Sequence, residues 1–554
     1  MAKPSDSSWH SRVREPIVVE DDVHWDDEAD IAVVGFGGAG ASAAIEATQS
    51  GASVILIDRF QGGGATAMSG GIYYAGGGTP QQRRAGCEDD AEQMYRYLSI
   101  ETQGVVSDET LREFCDASVE NLTWLEKLGL EFGDALSPVK TSYPAGKYFL
   151  YYSGNEPLPA NAERARPAPR GHRHKARGQA GFELFRRLRQ ATLRAGVIPR
   201  LGMAVERLVV NRAGEVLGVE GLQLEAGTKE ARRHARLSAL LIWLSSIGPS
   251  VTPLLLPRME KWERARRRPR LIRARRGVIL ATGGFVRNHG MMGQYLPKYL
   301  DGMALGGPGC DGSGIRLGES AGGATGLMNR ASAWRFINPP PAFTRGIIVD
   351  TDGERFCNEG AYGAQIGYFM CEERNGKAWI ILDQALFDQA RSQCGPGKSW
   401  YFQWVSALLT MYFKRKKGET IEDLAQACGM SAEKLRSSIE TYSDAAAGRI
   451  EDPFRKAEEL LADLSRGPYY ALDISLDSRV LPCAVITFGG LTVDEKTGQV
   501  VRDDGSGIPG LYAVGRTAVG IPSNHYVSGL AIADCVFSGR RAARSALEDP
   551  PRTA

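Results

Sequence analysis

The sequence is poor in the features that mark metal-binding, disulfide-linked and nucleic-acid-binding proteins. Its 554 residues include 9 cysteines and 7 histidines, and these form no CxxC pair and no metal-ligand spacing. Their scatter excludes a metal module and indicates a reduced, cytoplasmic setting. The formal net charge is only +2, which argues against nucleic acid and acidic substrates as partners. No internal repeat is present.

An apolar stretch is also missing from the first 29 residues. The segment is polar and acidic, which predicts a solvated arm on the protein surface and no secretion signal. The rest of the chain is long for one domain and predicts two or more, with enough residues to bury large cores. The acidic residues of the arm are Glu20, Asp21, Asp22, Asp26, Asp27 and Glu28.

What the sequence does contain is a stretch, residues 30–58, whose pattern predicts a strand, a tight turn, a helix and a second strand. An apolar run stops at the glycine-rich turn 35–40, an alanine-rich segment follows, and a second apolar run ends at Asp58. Glycines permit the turn and let a diphosphate approach backbone N–H groups, and Asp58 stands where a ribose hydroxyl would be bound. The stretch therefore predicts a dinucleotide-binding unit rather than a cofactor-free Rossmann-like one.

A second glycine-rich segment, GGGATAMSGG at residues 62–71, suits the passage of backbone past a flat ligand. Together with the turn 35–40 it resembles the flavoprotein subunits of fumarate reductase and succinate dehydrogenase. Within that family the likeness is to the 3-ketosteroid dehydrogenases, of the Δ4-(5α) type above all, and PAPRGH at 167–172 strengthens it. The resemblance covers essentially the whole chain apart from residues 1–25 and an insertion at 237–276.

The resemblance implies an α/β fold in which a Rossmann-like FAD-binding domain carries an inserted α+β catalytic domain. The FAD-binding domain is expected to be discontinuous, over residues 30–321 and 468–554, with the catalytic or substrate domain at 322–467 and the arm at 1–29.

The spacing further predicts two helices between residues 92 and 130, one helix over 181–195 and a hairpin over 204–222. The aromatic- and proline-rich segment 137–176 is typical of loops that shape a pocket.

FAD is expected to bind without a covalent link. Members of the family that attach it covalently carry a histidine in the loop after Asp58, and residues 58–78 contain none. The N–H groups of Gly529 and Leu530, at the start of a predicted helix, are expected to point at the flavin and stabilise negative charge there. The residues assigned to FAD by motif and resemblance are Gly35, Gly37, Gly38, Ala39, Gly40, Asp58, Arg59, Gly64, Ala65, Thr66, Ser69, Gly70, Gly71, Val205, Ala281, Thr282, Gly283, Gly515, Gly529 and Leu530.

Three hydroxyl residues are the catalytic candidates. Tyr526 and Ser528 match the Tyr-x-Ser of the Δ4-(5α) type, in which the resemblance implies that the tyrosine takes the C4 proton, assisted by the serine, while the C5 hydride goes to flavin N5. Tyr362 matches a second active-site tyrosine, with Tyr368 as the nearby competitor. A free tyrosine has a pKa of about 10, so we expect the helix N-terminus and Ser528 to favour the phenolate. Which tyrosine is the base stays open.

The implied substrate is a 3-ketosteroid, converted from the 5α form to the 4-ene, with a quinone or a carrier protein as electron acceptor. Desaturation at C1–C2 is the alternative, but those relatives usually have an alanine- and glycine-rich turn where this chain has Ser528. Reduction of an unsaturated acid needs an arginine that the turn 524–526 lacks, although His525 could bind a carboxylate. A flavin-free adaptor is disfavoured by the intact glycine turn.

The insertion at 237–276 is the unusual feature. Residues 237–257 are nearly all apolar, and 258–276 contain ten Lys or Arg. Pro249 and Pro253 interrupt the apolar part, so a simple spanning helix is not expected. The pattern predicts a hook that contacts an anionic membrane surface, and hence a peripheral position on the inner face of the cell membrane. The alternative is a helical hairpin buried in a subunit interface, with its basic residues merely solvated.

Overall fold

The computed structural model of the protein describes residues 12–19, 23–176, 178–225, 227–247 and 252–552. The strands are β1 (Ile17–Val18), β2 (Asp27–Val34), β3 (Val54–Asp58), β4 (Ile72–Tyr74), β5 (Leu150–Tyr151), β6 (Gly171–Arg173), β7 (Ile198–Leu201), β8 (Met203–Val210), β9 (Val216–Gln223), β10 (Arg268–Leu280), β11 (Met303–Ala304), β12 (Thr325–Gly326), β13 (Ala331–Trp334), β14 (Ile347–Val349), β15 (Trp379–Asp383), β16 (Arg415–Gly418), β17 (Tyr469–Asp473), β18 (Ala484–Thr487), β19 (Gly490–Leu491), β20 (Gln499–Val501) and β21 (Gly507–Ala513).

The helices pack on the sheets that these strands form. They are α1 (Gly38–Gln49), α2 (Gly64–Met68), α3 (Pro80–Arg84), α4 (Ala91–Thr102), α5 (Asp108–Asp116), α6 (Ser118–Lys127), α7 (Pro159–Ala162), α8 (Gly181–Arg194), α9 (Lys229–Ile247), α10 (Thr252–Arg264), α11 (His289–Tyr295), α12 (Ser313–Ser320), α13 (Gly363–Glu373), α14 (Gln384–Gln393), α15 (Tyr401–Phe413), α16 (Ile421–Cys428), α17 (Ala432–Ala446) and α18 (Leu530–Glu548).

The largest sheet is built around the predicted strand–helix–strand unit. Its order is β1-β8-β9-β10-β2-β3-β7, with β21 beside β10 and β20 beside β21. Strands β10, β2, β3 and β7 run parallel to one another. Strand β10 is long enough to pair with β9 in the antiparallel sense at its start and with β21 in the parallel sense at its end. It therefore joins the predicted hairpin β8–β9 to the dinucleotide-binding strands.

Small residues let helix α1 lie close to its neighbours. Gly35 has a φ of +113°, and a side chain there would collide with the backbone of Ala281. A side chain at Gly40 would collide in turn with the carbonyl of Gly35. On the other side of α1, a Cβ atom at Gly539 of α18 would lie 2.7 Å from the carbonyl oxygen of Ala39. The two helices thus pack nearly backbone to backbone, and their position relative to β2 is fixed.

A second core lies beyond this sheet. It contains buried residues from Phe285 to Val485, including those of the sheet β14-β15-β17-β16 and of helices α13, α16 and α17. This core gathers residues from outside 322–467 as well, so the domain boundaries remain a prediction.

One secondary-structure prediction was wrong. Residues 92–130 form three helices, α4, α5 and α6, instead of two. Helix α4 ends at Gln103, which has a left-handed φ of +49°, and the hydroxyl of Ser107 caps α5 by accepting the N–H of Thr110. Ala117 is both the C-cap of α5 and the N-cap of α6, so one residue separates the two helices and the apolar spacing does not reveal the break.

The insertion forms a helical hairpin, α9 and α10, that packs on the dinucleotide-binding sheet. Leu241, Leu256 and Met259 are buried against Phe60, two residues after the end of β3. The guanidinium of Arg59, the residue before Phe60, forms a buried ion cluster with Glu260 and Glu263 of α10. This part of the insertion is therefore a hairpin that packs against its own chain.

The basic end of the insertion meets the acidic N-terminal segment. Arg270 pairs with Asp26 at 2.7 Å and Arg275 with Glu28 at 2.8 Å across the ladder between β10 and β2. The prediction of a merely solvated arm is wrong for these residues, because opposite charges placed side by side on adjacent strands pair with each other. Residues 20–22 of the predicted arm lie outside the described residues. Where the structure describes the chain, no helix combines the length and the apolar character that crossing a membrane requires.

We predict that Glu263→Gln lowers the midpoint of thermal unfolding. The Glu263 side chain is fully buried, 2.9 Å from His234 and 3.0 Å from Arg267, and breaking such a buried ion pair costs about 3–5 kcal/mol. Burial raises its pKa, but Arg59, His234 and Arg267 outweigh burial and lower it to about 2. The stability that wild type has over the variant should therefore be lost as the pH falls from about 4.5 toward 2. Glu183→Gln, at an exposed ion pair on α8, is the matched control and should change the midpoint little.

Candidate active site

A single large cavity runs from the dinucleotide-binding turn to the predicted catalytic residues. Its volume is about 1390 Å³, larger than the 300–1,000 Å³ or so that ordinary small-molecule sites occupy. One end is lined by Gly35, Asp58 and Val205, and the other by Tyr362, Tyr526 and Ser528. It lies at the carboxyl ends of β2, β3 and β10, where nucleotide cofactors bind in parallel sheets.

Most of the residues assigned to FAD line this cavity. Four do not, and each packs close to the backbone around the site. Gly40 supports the turn at Gly35, and Gly71 lies against the backbone of Ala180. Gly515 has a φ of +56°, and Leu530 is fully buried at the start of α18. The assigned residues that line the cavity are Gly35, Gly37, Gly38, Ala39, Asp58, Arg59, Gly64, Ala65, Thr66, Ser69, Gly70, Val205, Ala281, Thr282, Gly283 and Gly529.

The carboxylate of Asp58 is bound by backbone groups of the loops around it. One oxygen accepts the N–H of Phe36 at 2.9 Å, and the other accepts the N–H of Phe60 at 2.7 Å. Burial raises its pKa against the opposing effect of these hydrogen bonds. Asp58 therefore holds the turn against the end of β3, and its contact with a ribose hydroxyl stays a prediction.

The polar groups of the cavity fit a dinucleotide with a diphosphate. The turn at Gly35 admits no side chain, and the hydroxyl of Thr66 accepts the N–H of Gly38 at 3.0 Å at the start of α1. Arg516 also lines the cavity. Its Nη1 is buried without a hydrogen-bond partner in the described part of the chain, which suits a group that awaits an anionic ligand. The residues present thus fit FAD.

The hydroxyl of Ser528 is the centre of a buried hydroxyl cluster, formed by Ser528, Tyr151 and Tyr362. Tyr151 donates a hydrogen bond to Ser528 at 3.0 Å, and Ser528 lies close enough to the buried Tyr362 to oppose the rise that burial causes in the pKa of this tyrosine. Ser528 is held in place because its N–H bonds the carbonyl of Ser153 at 3.1 Å. The N–H of Tyr362 donates to the side-chain oxygen of Asn155 at 2.6 Å. Residues 153–155 thus position the loops of both Ser528 and Tyr362.

Tyr526 lies near this cluster but has contacts of its own. Its ring stacks on Trp334 with centroids 4.5 Å apart, and Gly529, at the start of α18, lies three residues further along the chain. Burial raises the pKa of Tyr526 to about 12, although Gly529 and Arg516 act in the opposite direction. The N-terminus of α18 thus acts on the pKa of Tyr526 in the predicted direction, but burial outweighs it, and Tyr526 is protonated at neutral pH.

His525 and Tyr368 face away from the cavity. Nδ1 of His525 lies 3.7 Å from a carboxylate oxygen of Glu101, and its ring packs on that of Tyr368 with centroids 5.1 Å apart. Neither residue lines the cavity. His525 thus lies beside an acid of its own chain, which disfavours its use as a carboxylate ligand, and Tyr362 rather than Tyr368 lines the cavity.

Several residues of the site were missed by sequence reasoning. Tyr151 and Glu156 come from the segment predicted to shape a pocket, and Tyr151 begins its YYSG motif, but neither residue was assigned a role. Glu156 is buried, and burial raises its pKa, while burial lowers the pKa of Lys140. Nothing in the sequence marked Trp334 or Arg516 as site residues, because each is a single residue in a strand or turn. Their partners in the site come from distant parts of the chain.

Comparison with known proteins identifies the family to which this arrangement belongs. Residues 30–529 match the family model described as FAD binding domain. A 3-oxo-5-alpha-steroid 4-dehydrogenase from Comamonas testosteroni is 43% identical over 89% of this chain and 94% of its own length. A 3-oxosteroid 1-dehydrogenase from Mycolicibacterium smegmatis is 28% identical over 90% of this chain and 93% of its own length. The solved structure of a 3-ketosteroid-delta4-(5alpha)-dehydrogenase from Rhodococcus jostii RHA1, in complex with 4-androstene-3,17-dione, has a TM-score of 0.80 and 29% identity, covering 96% of this chain and 99% of that chain.

Fold, cavity and matches together define a flavoprotein with FAD as its cofactor. The chain belongs to the FAD binding domain family, and its identity to the Comamonas protein places it among the 3-oxosteroid dehydrogenases of that family. The predicted fold class, the FAD cofactor and the resemblance to 3-ketosteroid dehydrogenases are thereby confirmed.

We predict that Gly35→Ala abolishes stable FAD binding. The residue has a φ of +113°, and a methyl group there would collide with the backbone of Ala281, so the turn must move. Gly51→Ala is the matched control, because its φ is +89° but nothing lies within 4 Å of the added atom; it should cost only about 1 kcal/mol of backbone strain. The ratio of flavin to protein absorbance in the purified variants, with circular dichroism for folding, measures the difference. Full flavin content in Gly35→Ala would contradict the assignment of this turn.

Proposed function

We propose that the protein desaturates 3-ketosteroids between C4 and C5, converting a 5α-3-ketosteroid to a 4-ene-3-ketosteroid. The observation that carries the proposal is the Tyr-x-Ser pair, Tyr526 and Ser528, at one end of the FAD cavity. The relative named for 4-dehydrogenation is 43% identical to this chain, whereas the 1-dehydrogenase is 28% identical. Desaturation at C1–C2 is therefore the weaker alternative, and reduction of an unsaturated acid is disfavoured because His525 lies beside an acid of its own chain.

Removal of hydrogen from C4 requires a donor to the ketone oxygen and a group that takes the proton. Tyr526 fits the donor, because a phenol with its pKa raised to about 12 is protonated at neutral pH and stacking on Trp334 holds its ring. Ser528 fits the proton acceptor, because its hydroxyl can give up its own proton as it takes the one from C4; the neighbouring hydroxyls of Tyr151 and Tyr362 would relay that proton to bulk water, which receives it. This division of roles is an alternative to proton abstraction by a tyrosine, which the resemblance implies and for which Tyr526 and Tyr362 are the candidates.

The cofactor and the apolar walls complete the proposal. The glycine turns and Arg516 would hold FAD without a covalent link, and its flavin would supply the acceptor for the hydride from C5. Trp334 and Phe336 line the cavity beside Tyr362 and Tyr526, which suits an apolar ring system and keeps water from the hydroxyl cluster. A quinone or a carrier protein remains the proposed electron acceptor.

Membrane contact through 237–276 stays a separate prediction. The arginines at its basic end are engaged within the chain: Arg264 with Glu260, Arg267 with Glu263, and Arg270 and Arg275 with the N-terminal acids. Fewer charges are thus available to attract anionic lipid than the sequence alone indicates.

The function is tested by incubating the FAD-loaded protein with a 5α-3-ketosteroid and an artificial electron acceptor. We expect the 4-ene-3-ketosteroid as the product, identified by mass spectrometry and by the ultraviolet absorption of its conjugated enone. A 4-ene-3-ketosteroid offered as the substrate should be left unchanged. Formation of a product desaturated only at C1–C2 would favour the alternative reaction.

The assigned roles predict that Tyr526→Phe retains FAD but loses turnover. Removing a hydrogen-bond donor to a developing oxyanion lowers kcat by about 10²–10³-fold, and the phenyl ring can still stack on Trp334. Tyr368→Phe removes a hydroxyl of the same kind outside the cavity and should leave kcat and KM near wild type. Flavin absorbance and steady-state kinetics measure both variants; wild-type turnover by Tyr526→Phe would refute its role.

A further inference from the structure

Helix α15 (Tyr401–Phe413) has the sequence YFQWVSALLTMYF and carries no charged residue. Four of its large apolar side chains are exposed: Tyr401 by 70%, Leu409 by 39%, Tyr412 by 46% and Phe413 by 75%. At 100° per residue these side chains, with Val405 between them, follow one stripe along the helix. No other element exposes more than two such side chains, among those that the structure describes.

The stripe is not required by the core of the protein. The opposite face of α15 buries Ala407, Thr410 and Met411 in the second core. The exposed stripe is therefore an apolar surface in addition to the packed one, and contiguous exposed apolar surface of this kind marks a site of contact with another molecule or a membrane.

A basic cluster continues directly from the stripe. Lys414, Arg415, Lys416 and Lys417 follow Phe413 and are all exposed, three of them in strand β16. The acids beside it include Glu419, 2.6 Å from Lys417, Asp477, whose pKa Lys414 helps to lower, and Asp473, whose N–H bonds the carbonyl of Lys414. The cluster thus keeps a net positive charge beside the apolar stripe. Apolar side chains flanked by Lys and Arg are the combination that binds an anionic lipid surface.

The same helix forms part of the rim of the substrate cavity. Tyr401, Phe402, Gln403 and Ser406 line the cavity that also contains Tyr526, while Tyr401 is at the same time exposed. An apolar molecule that leaves a lipid layer against α15 would therefore meet the cavity without crossing bulk water.

We propose that α15 and β16 bind the surface of an anionic membrane, with the stripe in the lipid and the basic cluster at the head groups. The docking surface is separate from the insertion at 237–276. This orientation would deliver a 3-ketosteroid directly from the lipid to the cavity, and that consequence rests on the proposed function. Two copies of the chain joined through this surface by a two-fold axis would bring two basic clusters together, so charge favours lipid over a second copy.

The test is sedimentation of the FAD-loaded protein with vesicles of phosphatidylcholine alone or with phosphatidylglycerol. The wild type should bind the anionic vesicles, with binding that weakens as salt is added. Tyr412→Ser/Phe413→Ser and Lys414→Gln/Lys416→Gln should each reduce the bound fraction at least tenfold. The altered side chains are exposed, so flavin content and turnover of a dissolved 3-ketosteroid should stay near wild type.

Two variants serve as controls. Phe182→Ser removes an exposed apolar ring on α8, and Arg266→Gln removes an exposed charge next to the hairpin. Both should bind as wild type does.

The outcomes separate the proposals. Failure of the wild type to bind anionic vesicles overturns the docking surface, whatever its activity on steroids. Vesicle binding by a protein inactive on 3-ketosteroids leaves the docking surface intact and refutes the proposed function. Loss of binding in Arg266→Gln but not in the α15 variants would assign membrane contact to the insertion. A lower mass of the α15 variants in analytical ultracentrifugation, without a change in vesicle binding, would make the surface an interface between copies. This result, like a loss of binding in Arg266→Gln alone, would overturn the proposal.

Discussion

The close approach of backbone at the glycine turn is the constraint on which the rest of the site depends. Gly35 touches the backbone at Ala281, and Gly40 touches Gly35, so helix α1 has one position above the sheet. Helix α18 then packs on α1 through Gly539. Because Gly529, with a φ of +88°, begins α18 against Tyr74, the position of the catalytic loop before it follows from a series of contacts that start at the cofactor turn.

The chemistry of the site follows from its burial. Burial raises the pKa values of Tyr362 and Tyr151 as well as that of Tyr526, so the site holds neutral hydroxyls at the pH of a cell. Neutral hydroxyls can donate to a ketone oxygen and exchange protons with one another without the cost of a buried charge. The catalytic end of the cavity is therefore built from tyrosine and serine, while the charged arginine Arg516 lies along the part that fits the anionic cofactor.

Sequence reasoning succeeded where a local pattern determines the structure. The β2–α1–β3 unit, the hairpin β8–β9 and the start of α18 follow from apolar spacing and glycines within short stretches. It failed where partners are far apart: Tyr151 and Ser528 are separated by 377 residues, and the acids near Asp26 pair with arginines near Arg270 that were taken for a lipid-binding patch. Exposure is equally invisible in a sequence, so nothing in the apolar run 401–413 indicated that one face of α15 is exposed.

The contact between α1 and α18 has a consequence for how the protein matures. The cofactor turn lies near residue 35, whereas the strand and helix that complete its surroundings, β21 and α18, begin at Gly507 and Leu530. During synthesis the first nucleotide-binding unit must therefore wait until residues 507–548 have been made before its packing partners exist. A chain truncated before α18 would lack the helix against which α1 is seated, and the yellow colour of bound flavin would then report that this helix is in place.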